Sequence, residues 1–133
     1  METGLTYRCF GEKDVIRKIN LLLSDYLTQI YMYNTMIKPR NYYLKPVHIV
    51  VKKKTSGVKI KYYYYGRYWY RIVKQPSGKL KWIYIGKEKP LSNLPDPPRN
   101  PLEGLVVKID GSELEIIAST RELYEKIYSV LSS

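Results

Sequence analysis

The chain has 133 residues, 44% hydrophobic and 26% charged, a formal net charge of +11, one cysteine and one histidine. That length and composition suit one small domain with a packed core and exclude wholesale disorder. Lone Cys9 and lone His48 exclude an internal disulfide, a cysteine-rich zinc site and a two-histidine metal site.

Residues 1–11 read as a leader or a first edge strand, Leu5 to Phe10. METGLTYRCF has no basic region followed by an apolar run, so no signal peptide is expected. From Asp14 to Ile37 the pattern is helical. Val15, Ile19, Leu22, Tyr26, Ile30, Tyr33 and Ile37 recur at steps of three and four, and Ile16, Leu23 and Leu27 widen the stripe. No Gly or Pro interrupts this run before Pro39, so one long helix of about 36 Å is expected. It would lie across a sheet or form a homodimer seam through residues 14–37. Tyr31 and Met32 fall outside the stripe. Asp25, Gln29 and Asn34 argue against a membrane span.

Residues 38–46, KPRNYYLKP, read as a proline-bounded connector, and Val47 to Lys53 as a strand turning at Thr55-Ser56-Gly57. Val58 to Tyr65 follows as another strand. Gly66-Arg67 has the chemistry of a two-residue hairpin turn, with Tyr68 to Lys74 returning. Gln75-Pro76-Ser77-Gly78 turns again, and Lys79 to Ile85 is a third strand. Pairing across Gly66-Arg67 would place Ile60, Tyr62, Tyr64, Trp69, Arg71 and Val73 on one face. Lys59, Lys61, Tyr63, Tyr65, Tyr68, Tyr70 and Lys74 would occupy the other, joined by Lys79, Lys81, Ile83 and Ile85.

Five prolines between Pro90 and Pro101 make residues 90–104 an extended connector. Leu105 to Ile109, Asp110-Gly111 and Glu113 to Ile117 read as a hairpin. Ser119 with Glu122 reads as a capping box, opening a helix to about Leu131 with Leu123, Ile127 and Val130 on its stripe. The fold expected is α+β: a long N-terminal helix, an antiparallel sheet of three to five strands, and a C-terminal β-hairpin and helix. Residues 1–89 would hold the helix and basic sheet. Residues 105–133 would be an acidic tail, separate or packed into the same domain.

Charge is unevenly placed along this order. Residues 1–37 are neutral overall, residues 38–89 carry fifteen Lys or Arg against Glu88 alone, and residues 90–133 carry four against seven acids. A uniform lysine bias would not leave the last third acidic, so one face for a polyanion is expected. The 28 residues from Lys59 to Gly86 also hold seven of fifteen tyrosines and both tryptophans, Trp69 and Trp82. Lysine and arginine neutralise phosphates. Aromatic rings stack on bases, tyrosine hydroxyls bond phosphates, and a two-stranded ribbon enters a major groove. One face of such a sheet must serve the core. The other assigns nucleic-acid contacts to Lys59, Lys61, Tyr63, Arg67, Tyr70, Lys79 and Lys81.

No catalytic, cofactor or metal site is expected. GSELEI and GRYWYR lack phosphate-loop spacing, and carboxylates are nearly absent from the basic block, where a metal-dependent nuclease would cluster them. Asp110, Glu113 and Glu115 read as a turn and an exposed strand.

The run YYYYGRYWYRIVKQPSGKLKWIYIGK, with Gly78-Lys79 and the closing Tyr84-Ile85-Gly86-Lys87, resembles the N-terminal part of fusellovirus integrases. More loosely it resembles the three-stranded arm-binding domains of other integrases. The resemblance covers about 28 residues and implies DNA binding through a sheet. It does not carry the recombinase reaction, since His48 is the only histidine and no His-x-x-Arg occurs. The proline-rich segment after Gly86 also replaces the helix that usually follows in that pattern. The composition is similar to that of small proteins from viruses and plasmids of hyperthermophilic archaea.

The reading is a small intracellular nucleic-acid-binding protein, double-stranded DNA favoured, cytoplasmic in a host cell and without a membrane segment. The alternatives are a viral or plasmid interaction factor that inhibits a host protein complex, or a virion component.

Overall fold

The computed structural model describes residues 7–11, 14–111 and 113–131, with side chains from residue 14 onward. Leu5 and Thr6 of the expected first strand lie outside these residues. The elements run β1 (Tyr7–Gly11), α1 (Val15–Leu21), α2 (Ser24–Ile37), β2 (Tyr42–Lys53), β3 (Lys59–Lys74), β4 (Leu80–Gly86), β5 (Leu105–Asp110), β6 (Glu113–Ala118) and α3 (Arg121–Leu131). Each described strand pairing is antiparallel, and the sheet order is β1-β6-β5-β3-β2, with β4 pairing β3 beside that path.

β3 is the axis of the sheet. Its 16 residues pair with β2 along one edge. On the other edge Ile60 to Tyr64 pair with β5, and Trp69 to Lys74 pair with β4. The expected reversal at Gly66-Arg67 does not occur. A hairpin turn opening on glycine needs a positive φ there, and Gly66 is not among the residues with one. Gly66 and Arg67 instead oppose the single residue Pro46 of β2, a two-against-one irregularity at a sheet edge. Proline, lacking an N–H, is tolerated there.

The helix expected over 14–37 is two helices. Between them Leu22 N–H and Leu23 N–H donate to Ile19 and Asn20 carbonyls, three residues back, a tighter turn than the α-helix makes. The break lets α1 pack against α3 while α2 packs against β2, and Asn20 at the bend accepts a hydrogen bond from the Tyr65 hydroxyl at 3.1 Å. Most of the expected stripe is buried: Val15, Ile19, Tyr26, Ile30, Tyr33 and Ile37, with Leu23 buried in place of Leu22. Leu22 is half-buried because the break turns it outward. Leu27 does not widen the stripe but is exposed, as are Tyr31 and Met32.

The core joins these helical residues to Leu44, Tyr65, Trp69, Leu105, Val107, Leu114, Ile116, Ala118, Leu123 and Ile127. The described helices therefore cover one side of the sheet. Asn34 clamps α2 to β2: its Nδ2 donates to the Leu44 carbonyl at 2.9 Å and its Oδ1 accepts from the Leu44 N–H at 2.8 Å. Both amide functions are satisfied, as burial demands.

The connector expected over 38–46 is a short 3₁₀ turn, Lys38–Arg40, followed by the first residues of β2. The segment after β4 forms neither helix nor strand but is not extended throughout: it turns at 92–94 and 101–104, and it is a fastened strap and not a loose linker. Leu94 and Leu102 are buried in the core. Tyr33 donates to the Pro95 carbonyl at 2.6 Å. Buried Asn100 donates to the Pro46 and Gly66 carbonyls at 3.1 and 2.9 Å. Gly104 N–H donates to the Tyr65 carbonyl. The strap thus satisfies β3 carbonyls where β5 has ended and β4 has not begun.

β5 then joins β3 directly, so β5 and β6 belong to the same sheet as the basic strands. The β5–β6 hairpin forms as expected, but Asp110 is the last residue of β5, paired with Glu113, and the turn begins at Gly111, with φ 60°. The cap of α3 is Thr120, whose Oγ1 accepts from Leu123 N–H at 3.2 Å, and not Ser119. Ser119 lies against Gly104, where a Cβ would come within 2.1 Å of its Oγ and φ is +93°. Only glycine fits that position.

Candidate nucleic-acid interface

Alternation along an unbroken β3 sorts its aromatics differently from a hairpin. Tyr63, Tyr65 and Trp69 point to the helix side and belong to the core or pack against it. Tyr62, Tyr64, Tyr68 and Tyr70, of opposite parity, lie on the other side, away from that cluster. Strand register extends the open face sideways. Tyr43 opposes Tyr70 and His48 opposes Tyr64 on β2, while Trp82 opposes Ile72 and Tyr84 opposes Tyr70 on β4.

These eight rings pack on one another. Tyr62 and Tyr64 stack with centroids 6.0 Å apart and planes 15° apart. His48 lies against Tyr68 at 5.2 Å and Tyr84 at 5.4 Å, and its Nδ1 is 3.3 Å from the Tyr70 hydroxyl. Tyr43 meets Trp82 at 4.5 Å, and Tyr70 meets Tyr84 at 5.5 Å. Lysine ammoniums sit over the rings: Lys45 over Tyr70 at 4.6 Å and Trp82 at 5.4 Å, Lys52 over Tyr62 at 5.0 Å, Lys87 over Tyr68 at 5.8 Å and Lys108 over Tyr62 at 5.9 Å. Ammonium and ring quadrupole attract, so lysine supplies both cover and charge.

No carboxylate occurs from Tyr42 to Gly86. Acid stands at the margins: Glu115 opposite Lys108 and Glu113 opposite Asp110 on β6, Asp110 bonded to Lys54 at 2.7 Å, and Glu103 bonded to Arg67 at 3.0 Å. Burial first, then the neighbouring Tyr84, Tyr64 and Glu103, push the Tyr68 phenol up to about 12. Burial and then Tyr84 raise Tyr70. Both hydroxyls stay protonated and can donate.

The residues expected from sequence to make the contacts do not converge. Tyr70 lies on the open face. Tyr63 is half-buried on the helix side, because β3 does not reverse. Lys59 and Lys61 are exposed near the β2–β3 turn, with Tyr63's parity. Arg67 is held by Glu103. Lys79 is exposed in the β3–β4 turn, and Lys81, opposite Val73, lies on the reverse side of β4. Tyr68, placed from sequence on the same face as Tyr70, lies there; the layer's other members, Tyr43, Lys45, His48, Lys52, Tyr62, Tyr64, Trp82, Tyr84, Lys87 and Lys108, escape sequence reasoning. The alternation of Tyr43 with Lys45 is a readable strand signal, but Pro46 makes it look like a connector.

Every residue of β4 except Gly86 is exposed. The β3–β4 hairpin therefore projects past the helices with both faces open, Trp82 and Tyr84 on one and Ile83 on the other. At its root a cleft lined by Tyr64, Arg67, Tyr68, Lys87, Glu103 and Val106 marks the fork between β4 and β5. Among the described residues no cluster of three His, Cys, Asp or Glu could hold a metal ion, and no helix is long and apolar enough to cross a membrane. Comparison with protein-family models, curated proteins and solved structures finds no match for this chain.

Proposed function

We propose that the chain binds nucleic acid, duplex DNA above all, through the open face of its sheet. One observation carries this reading: eight aromatic rings are interleaved with lysines on three strands that hold no carboxylate. Cations set on the rings favour a polyanion over a purely apolar protein partner. The resemblance of Tyr62 to Lys87 to the sheets of integrase N-terminal parts points the same way.

The test is binding of a labelled DNA duplex across a salt series. Log K should fall linearly with log salt, with a slope near −0.9 for each phosphate neutralised. Replacing Lys45, Lys52 and Lys87 together by Gln should weaken binding and make the slope shallower by about 0.9 for each phosphate left without its cation. Absence of binding at low salt would refute the reading.

A second surface supports protein contact. α2 carries one charged residue, Asp25, in 14, and its outward face exposes Tyr31, Met32 and Met36, at 75%, 66% and 56%. In so basic a chain, such an uncharged face suits a second copy or a host protein. Met32→Lys should abolish association measured by light scattering while leaving DNA binding intact. Unchanged mass in both proteins, with no partner retained after nuclease treatment, would remove this second reading.

A further inference from the structure

The chemistry of the open face also bears on what part of a nucleic acid it grips. A stacking platform needs ring faces left free for bases. Here those faces are occupied. Tyr62 is stacked on Tyr64 and overlain by Lys52 and Lys108. Tyr68 is buried, with His48 against it and Lys87 over it. Of the eight rings only Trp82 and Tyr84 are exposed, at 41% and 43%, and each already meets two or more rings. What the layer offers outward is ammoniums and phenol edges, which are donors for phosphate oxygens.

The cations are also spread along a line. On the open face Lys52, opposite Ile60, stands at one end of β3 and Lys74, opposite Leu80, at the other. Fourteen steps of about 3.3 Å separate Ile60 from Lys74, roughly 46 Å. A duplex, stiff over about 150 base pairs, presents phosphates at both ends of such a span at once. A single strand must first be straightened, at a cost in chain entropy.

From these two observations, and resting on the nucleic-acid reading above, we infer that the open face is a backbone cradle for duplex DNA. It holds phosphates of about 14 base pairs through lysine ammoniums and tyrosine hydroxyls and stacks no bases. Recognition by this face is independent of sequence.

Trp82 is the exposed reporter and Trp69, fully buried, the silent one. A 20-base-pair duplex and each of its strands are titrated into the full chain, with anisotropy giving affinity and tryptophan emission giving contact. The duplex should bind at least about tenfold more tightly than either strand, with a steeper salt slope and little quenching of Trp82. Tyr84→Phe, which removes a hydroxyl and keeps the ring, should weaken duplex binding as much as Tyr84→Leu. A single strand that binds as tightly as the duplex and quenches Trp82, or a Phe variant that binds normally where Leu does not, overturns the cradle while leaving the nucleic-acid reading intact. No binding of either form at low salt overturns both.

Discussion

Tyr64 and Tyr65 are neighbours in the chain and opposites in the molecule. Tyr65, 2% exposed, sits under the helices with its hydroxyl on Asn20. Tyr64 lies half-buried on the open face, stacked on Tyr62. Side-chain alternation alone separates them. The helix side uses aromatics as filling, where burial stabilises and each hydroxyl needs a partner. The open side uses them as a mutually packed pavement that lysines complete. Aromatic richness is therefore two features on one strand, and only the second concerns a ligand.

The largest expected effect that sharpens this contrast is alkaline. Burial first, with nearby negative groups next, pushes the phenols of Tyr26, Tyr33 and Tyr65 up to about 12, and Tyr68 likewise. A raised folded-state value means that the neutral form is held by the fold. That stabilisation is complete below the unfolded value near 10 and is lost as pH rises from about 10 to about 12. Tyrosinate absorbance and circular dichroism should show a late titrating group whose ionisation coincides with unfolding. Ionisation of these phenols without loss of structure would break the contrast.

Next come the two tryptophans. Trp69 is fully buried, opposite Leu44 and edge-on to Tyr33 at 6.0 Å. Trp69→Ala should cost about 3–5 kcal/mol in urea unfolding. Trp82→Ala, on the exposed arm, should cost under about 1 kcal/mol. Equal losses would mean that the pavement is as much a core as the helix side.

Smaller again are the hydroxyls. Tyr65→Phe removes the bond to Asn20 and should cost about 1 kcal/mol. The Tyr26 hydroxyl is buried with no partner among the described residues, so Tyr26→Phe should be neutral or stabilising by about 1 kcal/mol. The smallest effect is expected at Arg67. Its ion pair with Glu103 is nearly half-exposed on both sides, and Arg67→Ala should change stability by less than about 1 kcal/mol.

Much of the fold is legible in the sequence where local chemistry and tertiary demand agree. The Gln75 to Gly78 turn, the β5–β6 hairpin and the stripe on α3 follow from residue type and period. The departures fall where tertiary contacts override local signals. Gly66-Arg67 carries a turn signature, yet β2 on one edge and β5, the strap and β4 on the other hold it extended. The α1–α2 break has no Gly or Pro to announce it and arises from packing on two different surfaces. The site suffers most, because one missed continuity flips the face of every residue beyond it. Tyr63 falls on the helix side for that reason. The strand that brings Tyr43, Lys45 and His48 into the layer is hidden by Pro46, which looks like a boundary and is the strand residue facing a bulge in β3.

The pairing of β1 with β6 has a consequence for how the molecule is assembled. Tyr7 meets Ala118, so a strand made early in synthesis waits for one made late. The meander β2–β3–β4 closes through short turns and can form early, whereas β1 pairs only once residues 114–118 exist. At about 5–20 residues per second that delay is roughly 5–20 s. Pairings so distant along the chain are intrinsically slow to form. During that interval the nascent chain already carries its basic meander, and pulsed hydrogen exchange on refolding should find β3 amides protected before those of β1.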